Sequence, residues 1–227
     1  TISDTATFEE RESIKLMRYP KAPEITRPTG YLNTEGKEIR MSDYIGKKVV
    51  LIDFWTYSCI NCVRTQPYLN AWYEKYKDQG LEIIGIHTPE FAFEHKIENV
   101  TKAIDEGMIK YPVILDNNYA TWSAYKNQYW PRKYLIDIDG YIVYDHAGEG
   151  KYDETEAEIQ KALAERARIV GGTMPISQDI VVPSNVTDVD FQKVGSREQY
   201  FGSSRNTSLG NGSRSVQPFI APAKPLR

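Results

Sequence analysis

Two cysteines, Cys59 and Cys62, stand three positions apart in the stretch FWTYSCINCVRTQP, and the 227-residue chain contains no others. Such a pair can serve as a structural disulfide, as half of a metal site, or as a dithiol that exchanges electrons. As a staple it does little, because a bridge closing so short a loop removes only roughly 2 kcal/mol of unfolded-chain entropy before strain is subtracted. Zinc needs four ligands. The histidines, His87, His95 and His146, have no paired spacing that would complete a tetrahedral set, so no metal is expected. The redox reading has a mechanism: a cysteine at a helix N-terminus faces unpaired backbone N–H groups and the positive end of the dipole, which stabilise its thiolate. Cys59 is then the nucleophile. Cys62, one turn inside on the same face, is placed to attack the mixed disulfide formed on Cys59.

The flanking periodicity supplies that helix. KKVVLIDFW (47–55) is a short apolar run rich in β-formers, as in a strand buried on both faces. From Cys59 to about Asp78 the apolar residues fall at helical spacing, Gly80 stops the pattern, and LEIIGIH (81–87) resumes as strand, giving a βαβ unit. Thr88 and Pro89 read as N-cap and first position of a further helix running to about Glu106, followed by the strand YPVILD. After a short helical segment near Tyr119–Lys126 come KYLIDI and YIVYD, two antiparallel strands around Asp139-Gly140, a type I′ hairpin signal. The last helix opens on a capping box, Asp153 and Glu156, and ends with Arg166 and Arg168 before Gly171. At the front, residues 31–40 read as a small hairpin around Asn33–Gly36, while residues 1–20 carry no clear signal.

Composition sets the outer limits. With 41% apolar and 26% charged residues the chain is globular, and its net charge of −3 with no basic stripe excludes a nucleic-acid partner. No apolar run is long enough to cross a bilayer, and the opening on Thr1 rather than Met suggests that a leader or anchor has been removed. Three regions are expected: an extension over 1–23, a domain over 24–170, and a Gly/Ser/Asn/Pro-rich tail or partial β-rich domain over 171–227. The sequons at Asn99, Asn185, Asn206 and Asn211 decide nothing, since they arise easily in polar sequence.

IDFW, then CINC, then Pro67 five residues after the second cysteine resemble the strand, active site and helix-kinking proline of the thioredoxin superfamily. WTYSCINC, GIHTPEFAFE, YPVILDNNYATW and YWPRKYLID are similar to the thioredoxin-like domain of DipZ-type proteins, in the TlpA-like branch. The resemblance implies an α/β thioredoxin-like fold, with a central mixed sheet flanked by helices, an extra helix after the second strand of the βαβ unit and a C-terminal β or irregular extension. It implies that Cys59 attacks, Cys62 resolves, and the buried acid Asp53 takes the Cys62 proton through water. Asp53 is unusual on its own terms, because a carboxylate inside VVLIDFW is desolvated and should titrate high unless paired.

By the same resemblance Pro131 is a cis-proline that presents its neighbouring backbone to a substrate, Glu90 matches an acid near the active site, and Trp55, Tyr57 and Trp130 line the groove. Bland readings stand beside these: a first-turn helix glutamate for Glu90, and core packing for the aromatics. The implied activity is protein-disulfide oxidoreduction with no cofactor beyond a Cys59–Cys62 redox-active disulfide. Its setting would be outside the cytoplasmic membrane, or alternatively the cytoplasm, fed by a membrane electron-donor protein of the DsbD/CcdA type. Ser58-Cys59-Ile60-Asn61-Cys62 departs from the W-C-G-P-C of thioredoxins, and the lack of a basic residue between the cysteines argues for a reductant over a strong oxidant. Two rivals stay open. A thiol peroxidase would use Thr56 in T-x-x-C, although the proline expected before it is Ile52. A redox-inert binding module is the other.

Overall fold

The computed structural model describes residues 6–172 and 176–186. Its six strands are β1 (Gly30–Leu32), β2 (Val49–Trp55), β3 (Leu81–His87), β4 (Val113–Leu115), β5 (Arg132–Ile136) and β6 (Ile142–Ala147). The helices are α1 (Phe8–Leu16), α2 (Ile60–Tyr76), α3 (Ile97–Glu106), α4 (Ala120–Ala124) and α5 (Tyr152–Val170). One sheet runs in the order β1-β4-β3-β2-β5-β6. β2, β3 and β4 are parallel, whereas β1, β5 and β6 pair antiparallel with their neighbours.

Every residue of β2 and β3 is buried, which explains why neither run alternates in polarity. Period-2 geometry then sorts the side chains. Val50, Ile52 and Phe54 join Ile84, Ile86, Trp122 of α4 and Tyr134 in one core layer. Val49, Leu51 and Trp55 join Leu69, Trp72 and Tyr76 of α2 and Ile159 and Leu163 of α5 in the other. Asp53, between Leu51 and Trp55, therefore points to the face that carries α2.

The βαβ unit and its Gly80 stop are as the pattern indicates, Gly80 lying at φ 100° after a 3-10 turn at Lys77–Gln79. Four local expectations are corrected. Thr88 does not cap a helix: its N–H donates to Trp55 and its hydroxyl to Asp116, and residues 88–96 form a loop with a 3-10 turn at Ala92–His95 before α3 begins. Residues 31–40 are not a hairpin, because β1 pairs with β4 and the Asn33 amide donates to the Ile109 and Tyr111 carbonyls instead. The β5–β6 connection is not type I′, since Gly140 alone of its residues has positive φ and the Asp137 carboxylate gathers the N–H groups of Asp139 and Tyr141. Asp153 does not cap α5; Lys151 holds that position, and Glu156 turns into the core to accept from Trp72 Nε1 (3.1 Å) and the Tyr76 hydroxyl (2.7 Å).

Residues 8–16, silent in sequence, form α1 behind a capping box of Thr7 and Glu10. Arg11 and Lys15 are its buried face. Lys15 Nζ sits 2.6 Å from Asp137, 2.7 Å from Asp139 and 2.8 Å from Glu165, and Arg11 pairs with Asp139 at 2.8 Å. The α1 helix is thus clasped to the β5–β6 turn and to α5. Residues 176–186 are irregular, and the expected β-rich unit lies outside the described residues. Among the described residues no helix is long and apolar enough to cross a membrane.

Candidate active site

Cys59 is the N-cap of α2, with extended backbone dihedrals and its Sγ accepting from the Cys62 N–H at 3.3 Å. A strand that ends at Trp55 and a tight turn, with Cys59 N–H donating to the Thr56 carbonyl, bring it there. Both cysteines are free thiols; Cys59 is half-buried and Cys62 is buried. Hydrogen bonding from the Cys62 thiol lowers the Cys59 pKa, helped by the N–H groups of Cys62 and Asn61 against the opposing effect of burial. Burial pushes Cys62 well up, and the Cys59 and Asp53 charges add to it. The two thiols are therefore unequal in the sense that exchange chemistry requires.

Asp53 lies beneath them, 2% exposed, its Oδ1 without a hydrogen-bond partner among the described residues. Burial raises its carboxyl to about 7, opposed only by the Lys133 ammonium. Lys133 is directly opposite Asp53 in the β2–β5 register, fully buried, with Nζ donating to the Gly148 carbonyl at 3.2 Å. Burial lowers its pKa while Asp53 and Cys62 hold it up. Sequence reasoning missed Lys133, yet a signal exists: it shares strand parity with Leu135, whose side chain is fully buried on the α2 face.

The second missed residue is Glu94. It is fully buried, accepts from the Ser58 hydroxyl at 2.5 Å through Oε1, and through Oε2 from the N–H groups of Glu90 (2.6 Å) and Phe91 (2.8 Å). Burial raises its pKa, but the Ser58 and Thr56 hydroxyls and those N–H groups outweigh burial and bring it below the usual range. Glu90 itself is exposed and its backbone is not helical, so the first-turn reading fails there. The TPEFAFE spacing offered two acids, and nothing local told the structural one from the exposed one.

Trp130–Pro131 is a cis peptide bond at the entry to β5. Trp130 is half-buried, packs 4.2 Å from Trp122 and donates through Nε1 to the Thr88 carbonyl at 3.0 Å. Tyr57 stacks on His87 and donates to the Phe93 carbonyl at 3.2 Å. Trp55 is corrected from groove to core: at 5% exposure, edge-on to His87, it offers a substrate almost no surface. His87 is fully buried, its pKa brought down to about 4 by burial, and its Nε2 lies 3.4 Å from Thr56 Oγ1.

A mixed sheet of this order, with a dithiol at the N-terminus of the helix that follows its central parallel strand, defines the thioredoxin-like class of thiol–disulfide proteins. The chain belongs to the Redoxin family, whose profile matches residues 20–163. It is 44% identical to protein DipZ of Mycobacterium bovis over 192 residues, which cover 84% of this chain and 27% of that protein. The chain thus spans about a quarter of the length of the DipZ relatives it matches. It is 30% identical to the thiol-disulfide oxidoreductase YkuV of Bacillus subtilis, over 63% of this chain and 94% of YkuV. A thioredoxin-like protein solved in its oxidized form superposes with TM-score 0.59 at 28% identity, over 65% of this chain and 97% of that one.

Proposed function

We propose that this chain is a thiol–disulfide oxidoreductase that reduces protein disulfides outside the cytoplasmic membrane, drawing electrons from a membrane donor of the DsbD/CcdA type. The observation that carries the reading is Cys59 as N-cap of α2, with its sulfur on the Cys62 N–H and a buried Asp53 beneath. The Cys59 thiolate attacks one sulfur of a substrate disulfide, forming a mixed disulfide and expelling the first substrate thiolate. Asp53 takes the Cys62 proton; the Cys62 thiolate then attacks Cys59 Sγ, closing the Cys59–Cys62 disulfide and releasing the second substrate thiolate. Two electrons pass to the substrate, and a dithiol donor restores the pair. The cis-Pro131 loop and Trp130 are the substrate's side wall in this reading.

The peroxidase alternative is disfavoured by Thr56, which is fully buried and faces His87 rather than an open peroxide site. The test is thiol trapping. Cys62→Ser should accumulate mixed disulfides on Cys59, and Cys59→Ser should abolish disulfide reduction; adducts on Cys62 detected by mass spectrometry would reverse the assignment. Labelling of the thiols in intact cells by a membrane-impermeant maleimide is expected, and protection until lysis would return the protein to the cytoplasm.

A further inference from the structure

The loop between β3 and α3 carries two phenyl rings that the fold does not use. Phe91 and Phe93 are 49% and 48% exposed and lie parallel, 5.5 Å apart at 8°. Their backbone is held by groups other than the rings. Thr88 O accepts from Trp130 Nε1, Pro89 O from the Tyr119 hydroxyl, and Phe93 O from both Tyr57 OH (3.2 Å) and Asn99 Nδ2 (2.9 Å). Glu94 ties the N–H groups of Glu90 and Phe91 to Ser58. A loop so fastened that still leaves two stacked aromatics half in water is preorganised to bury them against something else.

What covers them is fixed by position. Tyr57, whose ring is 6.1 Å from Phe93, and Ser58, bonded to Glu94, are the two residues before Cys59, and Ile60 after it is 57% exposed. A partner sulfur bonded to Cys59 therefore lies within two residues of Tyr57, whose ring is against Phe93, and next to the exposed Ile60. We propose that Phe91 and Phe93, with Tyr57 and Ile60, form a docking shelf for an aromatic or branched apolar side chain adjacent to the reacting cysteine of a protein substrate. The shelf selects among substrates; it takes no part in sulfur exchange. The inference rests on the oxidoreductase reading above.

The test uses the full chain with two peptide disulfides that differ only in having Phe or Ser beside the cysteine, and with bis(2-hydroxyethyl) disulfide as a substrate without flanks. The wild type should favour the Phe peptide by about tenfold in kcat/KM, expressed in KM, as burial of part of one aromatic side chain allows. Phe91→Ser/Phe93→Ser should reduce that preference to less than about twofold; both substitutions are at exposed positions and should leave the circular dichroism spectrum unchanged. Equal wild-type rates on the two peptides, or a preference that survives in the double variant, would overturn the shelf while leaving the oxidoreductase reading intact. A concentration-dependent dimer abolished by the double variant would give the rings to a second copy and equally overturn it. Failure to exchange with all three disulfides would remove the oxidoreductase reading and the shelf together.

Discussion

At the scale of single residues the site is governed by a buried acid that Lys133 compensates only in part. Asp53 is held in an apolar layer with its pKa lifted to about 7, so between about pH 4 and 7 the folded chain keeps a proton that the unfolded chain releases. Stability must therefore fall as pH rises through that window and level off above it. Replacing Asp53 by Asn orphans the buried Lys133 at every pH but should remove this pH dependence, so that the variant gains on the wild type by on the order of 4 kcal/mol between pH 4 and pH 8, as read by urea denaturation. A stability difference that is the same at both pH values would mean that ionisation of Asp53 is not the cause. The same substitution should slow closure of the Cys59–Cys62 disulfide at neutral pH, which separates the acid's part in the chemistry from its cost to the fold. Lys133→Met removes the cation that faces Asp53 among the described residues and should move the pH profile of that closure upward.

At the scale of elements, the strands and α2 were legible because their signals are local: apolar runs, Gly80, and cysteines at a helix start. What failed depended on partners distant in sequence. Thr88 reads as a cap until Asp116 claims its hydroxyl, and Glu156 reads as a capping-box acid until Trp72 and Tyr76 bind it. The α1 helix was silent for the same reason, since its docking face is charged rather than apolar and makes sense only beside Asp137, Asp139 and Glu165. Lys15→Met should expose this dependence: it leaves two buried carboxylates short of a cation and should cost about 3–5 kcal/mol, measured as a shift in urea midpoint at constant m-value. A loss below about 1 kcal/mol would mean that the clasp is dispensable. In the candidate site, Cys59, Cys62 and Asp53 were readable from spacing and polarity, whereas Lys133 and Glu94 needed the β2–β5 register and the folded 88–96 loop.

At the scale of the whole molecule, the balance of charges around the dithiol sets the direction of electron flow. Cys59 has a helix N-terminus but no cation between it and Cys62, and the carboxylate below is poised to accept the second thiol proton. Both features favour the oxidised pair relative to a strong oxidant. The reduction potential is expected closer to about −270 mV than to about −120 mV, a difference on the order of 7 kcal/mol, and equilibration with glutathione buffers will give it. A value above about −150 mV would make the protein an oxidant.

The clasp also redraws the limits of the folding unit. The family match begins at residue 20 and stops at residue 163, inside α5, so a chain trimmed to that homology would discard Arg11, Lys15 and Glu165 together. It would keep Asp137 and Asp139 without the Arg11 and Lys15 that pair with them. Such a trimmed domain should retain its thioredoxin-like sheet yet melt well below the full chain at neutral pH, and recover part of the deficit as acid neutralises the two orphaned carboxylates. The bounds of the family model, not those of the longer likeness to DipZ, fall short of where the electrostatic ring around Lys15 closes.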